Sequence, residues 1–134
     1  MKTIFFDTNA YSNFKRGDTT VLNAVKNCDI LYISVVTVGE LYSGFYQGTK
    51  FKLNEKELDI FLTNRHVKVI NILPKTSKIY GEIYSKLFKN GTPIPTNDVW
   101  IAASVIQVES SLITYDKHFL KIPILKVWDE LKKR

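Results

Sequence analysis

Five short apolar runs, separated by longer stretches of helical period, constrain this fold more than any other feature of the chain. Residues 3–6 (Thr-Ile-Phe-Phe) are β-branched and aromatic and stop at Asp7. Further runs fall at 30–36, 67–72, 112–114 and 124–127. Runs this brief, bounded by polar or turn residues, predict strands buried on both faces. Between them, Ile79, Tyr80, Ile83, Tyr84, Leu87 and Phe88 recur at i, i+4 and i+8 and make one apolar helical stripe. Asn90-Gly91 stops that helix, and Pro93 and Pro95 enforce a loop. Val99, Ala102, Ala103 and Ile106 form the apolar face of a helix that starts after Thr96-Asn97. Helices are also expected from Glu40 through Tyr46, ending at Gly48, and around Leu58, Phe61 and Leu62, with Asn54 and Glu57 as a cap pair. Strands alternating with helices give an α/β fold, a parallel sheet covered by helices on both faces.

The 134 residues are enough for one core and too few for two, so a single domain over 1–134 is expected. One cysteine, Cys28, forms no intrachain disulfide and has no CxxC partner. It reads as a packing residue in a reducing compartment. The apolar stretch after Met1-Lys2 is too short for a secretory signal, and no run approaches the ~20 residues of a membrane span. A cytoplasmic protein is the expectation. The net charge of +6 suits an anionic partner such as nucleic acid without demanding one.

Four carboxylates carry the chemistry. In a parallel α/β sheet, ligands bind at the carboxyl ends of the strands, near a topological switch point. Asp7 and Asp116 each follow a predicted strand directly. Glu40 lies just past the second strand, and Asp98 falls in the first turn of a helix. Each has an ordinary structural role to set beside a functional one. Asp7 in Asp7-Thr8-Asn9 and Asp116 before Lys117-His118 resemble helix caps. Glu40, three residues after Thr37, completes a capping-box pattern. Asp98 suits the positive end of a helix dipole. Strand ends and helix starts share one edge, however, and four carboxylates gathered there repel one another unless protonated or offset by a cation. Hard divalent ions take oxygen ligands, which points to Mg²⁺ or Mn²⁺ held by Asp7, Asp98 and Asp116, with Glu40 reaching it through water. Thr8, Asn9, Asn97 and Thr114 add neutral groups able to hold water.

These segments together resemble a known family. Asp7-Thr8-Asn9 after the first strand, Val38-Gly39-Glu40-Leu41, 97–103 (Asn-Asp-Val-Trp-Ile-Ala-Ala) and 112–119 (Leu-Ile-Thr-Tyr-Asp-Lys-His-Phe) are similar, in order and spacing, to the PIN-domain nucleases. Within that family they look most like the VapC toxins of toxin–antitoxin pairs. The resemblance spans essentially the whole chain. It implies a three-layer α/β/α fold on a five-stranded parallel sheet and a Mg²⁺- or Mn²⁺-dependent endoribonuclease. It also implies a homodimer, and a small antitoxin whose tail occupies the active site. Carried over by position, Asp7, Glu40, Asp98 and Asp116 form the acidic site, Thr114 is a supporting hydroxyl, and Asn9 and Asn97 occupy commonly polar positions. Many relatives carry a further acid shortly after the fourth, where this chain has Lys117 and His118.

The implied reaction is phosphodiester hydrolysis, for which a carboxylate-held metal supplies hydroxide and offsets charge. Lys15, Arg16, Lys117 and His118 are candidate contacts to the RNA backbone. Tyr11, Phe14, Tyr42, Phe45 and Tyr46 could stack bases or meet an antitoxin helix, although aromatics at helical spacing also serve cores. Two other functions compete: an RNA-processing nuclease outside a toxin pair, and a catalytically inactive module that binds RNA or a partner. A dehalogenase-type phosphatase also begins strand–Asp, but needs a second Asp where this chain has Asn9.

Overall fold

The computed structural model describes residues 1–133. Four strands lie in one parallel sheet: β1 (Thr3–Phe6), β2 (Ile30–Ser34), β3 (Val67–Ile70) and β4 (Leu112–Ile113), in the order β3-β2-β1-β4. Each parallel link requires a helical crossover. Helices α1 (Thr8–Lys15) and α2 (Thr19–Lys26) join β1 to β2, and α3 (Val35–Gln47) and α4 (Phe51–Thr63) join β2 to β3. Helices α5 (Pro74–Lys89) and α6 (Thr96–Gln107) join β3 to β4, and a 3₁₀ turn (Lys117–Lys121) and α7 (Asp129–Lys132) follow.

Alternation along β1 sends its side chains into two cores. Ile4 and Phe6 pack with Leu31, Ile33 and Ile113 against Tyr11, Val21, Leu41, Leu58 and Phe61 of the first four helices. Phe5 points the other way, into Leu112, Ile83, Leu87, Ile101 and Ala102 under α5 and α6. The three-layer arrangement follows. No helix among the described residues is long and apolar enough to cross a membrane.

The expected fifth strand is a correction. Residues 124–127 lie beside β4, but the contact is a single parallel bridge, Leu112 to Val127. Leu112 N donates to Lys126 O, and Trp128 N donates to Leu112 O. With β4 only two residues long, no longer ladder is available to this segment. Four strands are therefore seen among the described residues. The second run is also shorter than expected, because Val35 and Val36 open α3 under a Ser34 cap (Val36 N to Ser34 Oγ, 3.1 Å). Helix α4 starts at Phe51, a turn before Asn54, so Asn54 and Glu57 are interior residues and not a cap pair. Helix α5 does end at Asn90, with Gly91 at φ +67°, the left-handed conformation that glycine adopts freely.

The C-terminal segment also clamps the exit of β4. Trp128 Nε1 donates to Thr114 O at 2.7 Å, and its ring packs on Tyr115 (centroids 5.4 Å apart). Replacing Trp128 by Phe keeps a ring and deletes the N–H, leaving the buried carbonyl unpaired. We expect a loss of about 1–3 kcal/mol, read from urea midpoints of the two proteins. An unchanged midpoint would show that the clamp carries no stability.

Candidate active site

The strand order places β1 and β4 side by side, with their connections leaving in opposite directions. That is the switch point at which α/β sheets bind ligands. Asp7 leaves β1 there, and Asp116 leaves the neighbouring β4 three residues past its end. Crossing from above, α3 brings Glu40 and the N-terminus of α6 brings Asp98. All four carboxylates line one open cleft of about 460 Å³, with Thr8, Asn9, Asn97 and His118.

Each carboxylate is held differently. Asp7 is 4% exposed and caps α1, accepting from Ala10 N at 2.7 Å and from the Thr114 hydroxyl. Its cap role and its place in the cleft coexist, since one oxygen serves the helix. Glu40 is not a cap residue. Ser34 starts α3, Thr37 sits inside it with its hydroxyl buried and unpartnered, and Glu40 lies in the second turn. Its carboxylate is steered instead by Thr8 Oγ1, which donates to Oε1 at 2.7 Å, and by Asn97 Nδ2, 3.4 Å from Oε2. Asp98 makes no cap bond, because Pro95 precedes α6 without one. Asp116 caps the 3₁₀ turn by accepting from His118 N at 3.2 Å, and its own N–H donates to Thr114 Oγ1 at 3.0 Å.

Thr114 therefore joins two acids, giving its proton to Asp7 and accepting from the backbone of Asp116. Asn9 adds a second tie across 106 residues: its Oδ1 accepts from Tyr115 N at 3.0 Å, fixing the β4 exit against α1. Tyr115 Oη in turn donates to Asp18 Oδ2 at 3.0 Å. The sequence reading did not anticipate the Thr8, Tyr115 or Trp128 contacts. The signal for the last was available, because a tryptophan N–H that becomes buried needs an acceptor.

The electrostatics show crowded negative charge. Burial, with smaller pushes from Asp98 and Asp116, raises Asp7 to about 7 against the pull of the Thr114 and Ala10 hydrogen bonds. Asp98 is also raised, first by burial and then by Glu40 and Asp116, while the His118 contact opposes the rise. His118 stands between two acids, Nε2 2.5 Å from Asp98 Oδ2 and Nδ1 2.9 Å from Asp116 Oδ1.

Not every expected site residue comes to this cleft. Lys15 pairs with Glu57 of α4 at 2.5 Å, and Arg16 Nη2 donates to Asn13 Oδ1. Both line a separate groove between α1, α3 and α4. Lys117 is exposed on the 3₁₀ turn beside Asp116. His66 is exposed and lies against Asp29 O, away from the acids. Tyr11 and Phe14 pack on Phe61 and belong to the core, whereas Tyr42, Phe45, Tyr46 and Phe51 form a ring cluster between α3 and α4.

Residues 4–125 match the family model described as PIN domain. The chain belongs to the PIN-domain family. It is 35% identical over 101 residues to Ribonuclease VapC2 of Rickettsia felis, covering 73% of this chain and 74% of that one. It is 31% identical over 109 residues to Ribonuclease VapC1 of Haemophilus influenzae strain R2866, covering 78% and 77%. Among solved structures it resembles VapBC2 from Rickettsia felis bound to a DNA fragment from the promoter, with a TM-score of 0.83 at 29% identity over 95% of this chain and 99% of that one. It also resembles VapBC-1 from nontypeable Haemophilus influenzae, with a TM-score of 0.84 at 26% identity over 95% and 97%.

Proposed function

We propose that this chain is a divalent-metal-dependent endoribonuclease and the toxin of a toxin–antitoxin pair. The observation that carries the chemistry is the convergence of Asp7, Glu40, Asp98 and Asp116 on one cleft. The relatives named as VapC ribonucleases, and the VapBC complexes of the same fold, support the biological role.

The cleft fits Mg²⁺ or Mn²⁺. Its donors are mostly hard oxygens, and Asp7 and Asp98, raised first by burial and further by neighbouring carboxylates, are groups whose charged form a cation would favour. Asp7, Asp98 and Asp116 would hold the ion. When bound, it supplies Lewis acidity that makes water nucleophilic near neutral pH and offsets the charge gathering on phosphate oxygens. The remaining work falls to the chain. Thr8 and Asn97 aim the Glu40 carboxylate into the cleft, where it can accept a proton from the attacking water or orient it. Thr114 and Asn9 keep Asp7 and Asp116 in register. Lys117, exposed on the turn at the cleft mouth, would meet the RNA backbone, whereas the His118 ring is turned inward to Asp98 and Asp116, and the groove holding Lys15 and Arg16 lies outside the reacting centre.

A protein partner is supported by the apolar residues left open on α3 and α4: Tyr46 is 73% exposed and Ile60 64%. Homodimerisation is supported by a second pair of open apolar residues, Tyr84 and Phe88, one turn apart on α5. The test of the reaction is cleavage of total RNA by purified protein with Mn²⁺, with Mg²⁺ and with EDTA. Cleavage should require a divalent ion and fall at least about a hundredfold in Asp98→Asn, the scale on which transition-state charge stabilisation is lost. Equal cleavage by Asp98→Asn would remove the acidic cleft from the chemistry.

A further inference from the structure

The imidazole in the cleft is held from both sides, by Asp98 and by Asp116. Both the ring and the backbone of His118 address one oxygen of Asp116: Nδ1 lies 2.9 Å from Oδ1 and the backbone N 3.2 Å from it. This double grip fixes the ring plane. With Nδ1 turned to Asp116, the other ring nitrogen, Nε2, faces Asp98. Nε2 is a buried atom and lies 2.5 Å from Asp98 Oδ2, a contact that favours the charged form of that acid. The imidazole therefore spans the two acids, and a cation entering the cleft would take the place of the proton shared at Nε2. Asp98, Asp116 and His118 each offer a donor atom there, all within 4.8 Å of one another.

An imidazole held beside a carboxylate through one nitrogen, with the other facing a cluster of donors, has the arrangement of a metal-ligating histidine with its orienting partner. We propose that His118 Nε2 is a metal ligand beside Asp98, and that this nitrogen makes the cleft favour Mn²⁺ and later first-row ions over Mg²⁺. The proposal rests on the reading of the cleft as a divalent-metal site and adds a ligand and a selectivity to it. Mg²⁺ is small, gives up its waters reluctantly and is served by oxygen donors, so it gains little from an imidazole. First-row transition ions accept nitrogen, and their affinity for mixed nitrogen–oxygen sites rises from Mn²⁺ upward. In this arrangement Asp116 acts in two ways, with Oδ1 orienting the imidazole and its second oxygen left to the ion or its waters.

The experiment uses the full chain and Mn²⁺ as the probe. Pulsed EPR of bound Mn²⁺ should show coupling to a ¹⁴N nucleus, and calorimetric titration should give tighter binding of Mn²⁺ than of Mg²⁺. His118→Asp restores an all-oxygen donor set. It should abolish the ¹⁴N coupling and lower the Mn²⁺/Mg²⁺ affinity ratio by about tenfold or more, whereas Asp98→Asn should weaken both ions. Thermal melts of both variants check that they fold, and the EPR of the unaltered chain needs no variant. Bound Mn²⁺ without nitrogen coupling, or an unchanged ratio in His118→Asp, would overturn the ligand assignment and leave the acidic cleft standing. No Mn²⁺ binding by the unaltered chain would overturn both.

Discussion

Asp7→Asn is expected to abolish cleavage and, in the absence of metal, to make the protein more stable. The two effects share one cause. Asp7 is almost fully buried, and its acidity is weakened from the ordinary 3.8 to about 7, chiefly by burial. Because the folded value lies above the unfolded one, the native state binds this proton more tightly. Its contribution to stability is complete below about pH 4, where both states are protonated, and is lost as pH rises through about 7. Above that, the folded protein carries a buried charge that the unfolded chain solvates freely. A shift of roughly three units at ~1.4 kcal/mol each makes the cost about 4 kcal/mol. Asparagine is neutral and nearly isosteric, can still accept from Ala10 N, and can turn its amide toward the Thr114 hydroxyl. Urea unfolding in EDTA at about pH 8 should therefore show the variant ahead by up to this amount, with the gap closing near pH 4. Asp98, raised in the same direction, gives the parent protein additional pH dependence of the same sign. Mn²⁺ should narrow the gap by stabilising only the parent, as any ligand specific to the native state does. Cleavage by the variant should fall by about a thousandfold. A gain in stability equal at both pH values would show that buried charge is not its source, and retained cleavage would remove Asp7 from the reaction.

The convergence of the four acids was more legible in the sequence than some of the fold. Carboxylates placed directly after apolar runs are visible in the sequence, and four of them at one predicted edge already implied a cation. The sheet was less legible where tertiary pairing decides. Residues 124–127 have the composition of a strand, yet β4 offers them a partner only two residues long, and one bridge results. Val35 and Val36 favour strand locally, but the Ser34 cap and the packing of α3 over the sheet turn them into a helix. The Thr37–Glu40 pattern misled for the same reason: the helix begins earlier, so the pair sits inside it and Glu40 is released to Thr8 and Asn97. Spacing along the chain shows none of the ties that cross the molecule. Asn9 to Tyr115, Trp128 to Thr114 and His118 to Asp98 depend on which strands become neighbours. Lys15, a candidate RNA contact, lies in a groove away from the acids and pairs with Glu57 of α4, a placement that spacing along the chain does not show.

Phe6→Ala should do the opposite of Asp7→Asn one residue away. Phe6 is completely buried and stacks on Phe61 (centroids 6.1 Å apart, planes 10° apart) while its edge meets Phe14 at 5.8 Å. It pairs in register with Ile33 on one side and Ile113 on the other, at the last ladder step before the cleft. Truncation removes the ring and leaves a void that rigid strands on both sides cannot close. The expected cost is about 3–5 kcal/mol, a large share of the ~5–15 kcal/mol that holds a domain of this size together. A fall in melting temperature of about 10–20 °C should follow. Phe6→Leu, which refills most of the volume, should lose far less. Cleavage by Phe6→Ala should survive at low temperature, where the variant is still folded, because no atom of Phe6 enters the cleft. Loss of cleavage in a folded Phe6→Ala protein would show that the ring also sets the position of Asp7. An unshifted melting temperature would deny the packing argument itself. Adjacent residues with opposite effects would separate the two tasks of β1: Phe6 holds the sheet together with apolar contact, and Asp7 gives up part of that stability to keep a buried charge ready for metal.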